Sequence, residues 1–132
     1  MTPSSSSFLR LVLAIDAISS GAMGLLLALA AGILEPLLGL PATLLDYAGV
    51  ALVPFAALVA YVATRHDLPR PGVWAIIVCN AVWAIDSILM VLSGLVSPTA
   101  LGSMLVVAQA LFVAVLAALE YVALRQSTTV AA

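Results

Sequence analysis

The chain has 132 residues, 65% of them hydrophobic and 8% charged, with a formal net charge of −2. Soluble domains carry about a quarter charged residues, so this composition excludes a water-soluble fold and requires most of the surface to face lipid. There is no lysine, and the four arginines are scattered singly or in one pair, which leaves no basic patch for nucleic acid.

Thr2-Pro3 and the four serines after it form a polar lead-in, with Thr2 placed to cap a helix that Pro3 opens. The first apolar run follows at about Phe8–Ile33. Ala28-Leu29-Ala30 has the small-residue spacing of a signal-peptide cleavage site. The length of the run, and Asp16 inside it, argue for a retained helix. Gly32, Pro36, Gly39 and Pro41 then break the chain, and the apolar piece Leu37–Leu40 is expected to lie along the outer interface.

The second run, Tyr47–Thr64, contains Pro54, which should kink it. His66-Asp67-Leu68-Pro69-Arg70-Pro71-Gly72 reads as a tight turn, with Pro71 opening a third run at Val73–Val96. Cys79 in that run is the single cysteine and reads as a small hydrophobe. Ser97-Pro98 ends the run, and Ala100–Leu124 is the fourth. A bilayer core is crossed by about 20 helical residues. All four runs suffice, and the connectors are too short to build a soluble domain. The fold class expected is an all-α integral membrane protein, a single domain of four transmembrane helices in a bundle.

The chain also repeats itself. Seven of the fourteen positions 12–25 recur at 82–95: Val12, Ala14, Ile15, Asp16, Ile18, Gly24 and Leu25 match Val82, Ala84, Ile85, Asp86, Ile88, Gly94 and Leu95. Ala57, Tyr61, Val62, Ala63 and Arg65 recur as Ala117, Tyr121, Val122, Ala123 and Arg125. The bundle is therefore expected to be two tandem helical hairpins, at about residues 3–66 and 71–126. Each hairpin enters and leaves on one side, so the copies should be related by an axis along the membrane normal. Arg10, Arg65, Arg70 and Arg125 all fall in flanks on one side. The positive-inside rule then predicts an inner (plasma) membrane protein with both termini cytoplasmic.

Ionisable groups inside apolar runs are costly, and are functional-site candidates by default. The repeat equates Asp16 with Asp86, so the two carboxyls are expected to face one central space at similar depth, either to share a proton or cation there or to stay neutral, pair with Arg10 or hydrogen-bond a neighbouring helix and hold the bundle in register. Ser19, Ser20 and Ser87 are hydroxyls within reach of them. Asn80 and Trp83 lie one helical turn apart beside Asp86, while Gln109 and Glu120 lie near one face of the fourth helix. These residues complete the candidate proton- or ligand-binding set. For Glu120 an ion pair with Arg10 or Arg65 is the expected structural role. Rows of small residues, Ala56-Ala60-Thr64 and Ala110-Ala114-Ala118, should supply close helix packing.

No catalytic machinery is expected. The chain has no Gly-rich phosphate loop, nucleophile elbow or HExxH, and one histidine excludes a bis-histidine haem. No metal and no cofactor are expected, and no family is recognised. The favoured reading is a structural or accessory bundle without catalytic activity, whose partners are the lipid bilayer and either further copies of itself or a larger membrane complex. The alternative is a proton- or cation-linked transporter or channel for small solutes that uses Asp16 and Asp86.

Overall fold

The computed structural model describes the backbone of residues 3–126 and the side chains of 7–126; the cap expected from Thr2 lies outside them. Four antiparallel helices run as α1 Pro3–Leu38, α2 Ala42–Thr64, α3 Arg70–Ser93 and α4 Ala100–Gln126. All four are long and apolar enough to cross a membrane. Their outward faces are lined with Leu, Ile and Val, among them Leu11, Ile18, Leu29, Val50, Ile85 and Leu111, as a lipid-facing surface requires. α1 packs along α2 and more loosely on α4, and α3 packs on α4, while α2 and α3 barely touch. The bundle is thus a ring of four helices with one open seam.

α1 does not break at Gly32 or Pro36. It bends once, at Ala30 (φ −117, ψ 17), and continues to Leu38. The piece expected on the outer interface is instead half core, since Leu38 and Leu40 are buried with Leu45, Ala31 and Val106. The connection is held by polar caps. Gly39 takes φ +69 and ends α1 in the left-handed region that glycine alone enters freely. Glu35 Oε2 accepts the Ala42 N–H at 3.0 Å and so supplies a carboxylate to the α2 N-terminus. Thr99 N–H donates to the Leu38 carbonyl at 2.9 Å. Its hydroxyl donates to the Leu37 carbonyl at 2.7 Å and accepts the Gly102 N–H at 3.0 Å. One side chain therefore serves the end of α1 and the start of α4. Thr99→Val keeps the shape and removes both bonds, so it should cost about 1–2 kcal/mol, as cap losses do. Thermal unfolding of the purified variant in detergent measures this.

The opposite end carries the start of α1, the end of α4 and all four arginines. Arg10 donates to the Ala63, Arg65 and His66 carbonyls, which caps the C-terminus of α2. Arg65 lies over the Tyr61 ring at 5.3 Å and Arg125 over Tyr121 at 5.7 Å, so the repeated Tyr-Arg pairs take the same form. Leu9, Leu13, Val59, Leu68, Ile76 and Leu124 fill the core here.

Small residues pack α1 on α2 at fewer points than the rows imply. A Cβ on Gly49 would stand 2.5 Å from the Ala28 nitrogen and 2.6 Å from the Gly24 oxygen, so the two backbones cross there. Ala56 and Ala110 are buried, but Ala60, Thr64, Ala114 and Ala118 face outward. Helical spacing aligned each row, but the neighbouring helix covers only one end of it. α2 runs through Pro54 as a single helix.

Candidate functional site

Three polar side chains meet in the interior. Asp16 on α1 and Glu120 on α4 are each 0% exposed, and Asn80 on α3 is 3% exposed. The Asn80 Nδ2 donates to Asp16 Oδ2 at 2.7 Å and to Glu120 Oε1 at 2.9 Å. An amide nitrogen carries two hydrogens, so each acid takes one. Ser20 Oγ donates to Asp16 Oδ1 at 3.0 Å, while Ser19 turns to the Asp16 main-chain oxygen. Glu120 Oε2 is buried and has no partner among the described residues.

This arrangement corrects two expectations. The carboxyl that meets Asp16 is Glu120, not Asp86, which is exposed on α3. Asn80 is level with Asp16, and Asp86 lies six residues further along α3, about 9 Å at the rise of a helix. Equivalence in the repeat is therefore not equivalence in depth. Glu120, in turn, has no arginine: Arg10 is committed to the α2 carbonyls and Arg65 to its own end of the bundle.

Two oxygens bonded to one nitrogen lie within about 6 Å of each other. Two full charges at that distance repel by about 3 kcal/mol at an effective dielectric of 20. The site offers them an amide and a hydroxyl but no cationic side chain. Chemically, such a pair is suited to hold a single proton between two acids, or to take up a small cation.

A crevice of about 490 Å³ adjoins this cluster and draws on all four helices, with Ser20, Leu52, Phe55, Asn80, Asp86 and Phe112 among its walls. A second, of about 770 Å³, extends away from the termini between Leu27, Leu45, Met90 and Val106. They share Met23, Trp83, Asp86, Gln109 and Phe112. Ser20 and Asn80 therefore belong both to the crevice wall and to the buried acid cluster.

The remaining candidates pair differently from expectation. Trp83 Nε1 donates to Gln109 Oε1 at 2.8 Å, and Gln109 Nε2 to the Val106 carbonyl at 2.9 Å. Gln109 is thus bound to Trp83 and makes no hydrogen bond to Glu120. The Ser87 hydroxyl goes to the Trp83 carbonyl, so it does not serve Asp86. Cys79 is exposed and lines the smaller crevice. Among the described residues no cluster of three or more His, Cys, Asp and Glu is placed to hold a metal. No family model matches the chain, and neither does any curated protein or solved structure.

Proposed function

We propose that this chain is a small multi-pass membrane protein that carries a proton together with a small solute, with Asp16 and Glu120 as its proton-binding pair. The observation that carries the reading is a pair of fully buried acids held to one Asn80 amide with no basic counterpart. Two acids buried in hydrocarbon without a cation are costly unless they share a proton. The crevice that begins at Ser20 and Asn80 gives the pair a route to a solute. Under the positive-inside rule the arginine-bearing end faces the cytoplasm across an inner (plasma) membrane.

The accessory-bundle reading has one specific support: Asn80 ties α1, α3 and α4 together through two hydrogen bonds. Reconstitution separates the two. Full-length protein in vesicles loaded with a pH-sensitive dye should, with small cationic and neutral solutes supplied on the acidic side, discharge an imposed pH gradient faster than empty vesicles. The Asp16→Asn, Glu120→Gln double variant should fall to the rate of empty vesicles while remaining folded. A double variant that conducts like the unchanged protein would overturn the proton-linked reading. So would an unchanged protein that does not conduct at all, and the bundle would then be a scaffold.

A further inference from the structure

Most polar side chains on the crevice walls are committed to the protein, and the one acid among them is not. Ser20 and Asn80 bond Asp16, Trp83 and Gln109 bond each other, and the Ser87 hydroxyl bonds the Trp83 carbonyl. The Asp86 carboxylate lines both crevices and has no hydrogen-bond or ionic partner among the described residues. It stands sixteen residues past Arg70 and seven before Ser93, about 24 Å along α3 and about 10 Å short of its end, inside a helix long and apolar enough to cross a membrane. An acid at that depth calls for a partner, and the chain supplies none: it has no lysine, and its four arginines lie at the other end.

We infer that the crevice around Asp86 is a binding site for a small amphipathic organic cation, with Asp86 facing its charge and Trp83 and Phe112 lining its apolar part. This deepens the function proposed above by naming the solute class, and it rests on that reading only for coupling to the proton.

The chemistry selects among ligands. A metal ion is disfavoured because a hard cation takes about six oxygen ligands, and here the one carboxylate is joined only by hydroxyls and amides already hydrogen-bonded within the protein, among Met23, Leu52, Phe55 and Phe112. An anion would be repelled, and a neutral apolar molecule would leave the carboxylate unmatched. An organic cation satisfies the acid while its carbon surface displaces lipid or water from the walls. Indole is also the aromatic ring that attracts cations best. The volume suits the occupant, since small-molecule sites span about 300–1,000 Å³. α2 and α3 line the crevice but barely touch each other. The open seam between them leads toward the lipid, where an amphipathic solute concentrates. Bound at Asp86, the cation would lie one to two helical turns from Asn80, the residue that bridges the proton pair.

The test uses the full chain in nanodiscs of zwitterionic phosphatidylcholine, with equilibrium dialysis of radiolabelled benzyltrimethylammonium. Neopentylbenzene, the same shape without charge, serves as competitor. Binding should be saturable and should weaken at least about tenfold in Asp86→Asn, as loss of a close charge pair predicts. Asp86→Glu should retain it, and neopentylbenzene should compete poorly. Asp86 is exposed, so the Asn variant will fold, and its helix content and monodispersity confirm that. No binding above empty nanodiscs, equal binding by Asp86→Asn, or equal competition by neopentylbenzene would each overturn the proposal. Cation binding that needs Asp86, in a protein whose proton pair carries no flux, would sink the proton-linked reading and leave this site standing. Proton flux with no role for Asp86 would do the reverse.

Discussion

Replacing Asn80 with leucine should destabilise the bundle by about 2–4 kcal/mol, one of the two largest effects of any single substitution considered. Asn80 donates to both buried acids from one nitrogen, at 2.7 and 2.9 Å. Leucine matches its bulk but leaves Asp16 with only Ser20, and Glu120 with no donor at all. Breaking a buried charged network costs about 3–5 kcal/mol in soluble proteins. Polar pairs in membranes return about 0.6–1.7 kcal/mol, because the unfolded chain in lipid finds other partners. The expected value lies between these ranges. The companion variant, Asp16→Leu with Asn80→Leu and Glu120→Met, removes the whole network and should recover or exceed the original stability, since well-packed apolar groups replace buried ions without loss. Equilibrium unfolding in mixed micelles measures both. A stable triple variant means that the acids are not needed for folding, and the reason for retaining them is then chemical. If instead Asn80→Leu is neutral and the triple variant unfolds, the cluster is scaffolding held by contacts other than the Asn80 amide.

The four helices were legible because transmembrane spans are written locally: apolar length and Pro/Gly punctuation suffice, and α2, α3 and α4 follow their runs closely. Asp16, Ser20, Asn80, Trp83, Gln109 and Glu120 were each visible as polar residues within apolar runs. Which of them meet was not visible, because register between helices that are not sequence neighbours is set by the whole bundle. The internal repeat pointed to the wrong partner. It aligns Asp16 with Asp86, whereas the bundle places Asp16 level with Asn80. A better signal lay where the copies differ. Asn80 stands opposite Arg10 in the alignment, and Glu120 opposite Ala60. These two departures from the repeat are the residues that join Asp16, and Arg10, freed from any acid, caps α2 instead. A match between the two halves of the sequence does not fix which residues meet, because the register between helices is set by packing. The crevices could not be read at all, since they arise from the gap between α2 and α3, which no local pattern encodes.

The other large effect should come from Gly102→Ala. A Cβ at Gly102 would run into the main-chain carbonyl of Leu38, and both carbonyl carbon and oxygen are backbone atoms that cannot rotate away. The same carbonyl accepts the Thr99 N–H, so a shift that relieves the methyl also breaks the cap joining α1 to α4. Overpacking alone costs about 1–3 kcal/mol, and the broken cap adds about 1 kcal/mol. Gly102→Ala should therefore lose about 3 kcal/mol, whereas Gly32→Ala, with open space around it, should be neutral or gain as much as about 1 kcal/mol from helix propensity. Both are read from the unfolding midpoint in detergent. The consequence reaches the ligand as well. Leu38 and Val106 form one wall of the larger crevice, and Asp86 lies where that crevice meets the smaller one. Pushing α4 away from α1 widens the larger crevice without touching an acid. Benzyltrimethylammonium should then bind more weakly to Gly102→Ala even under conditions where the variant is fully folded, because a looser wall surrenders apolar contact while the charge at Asp86 stays in place.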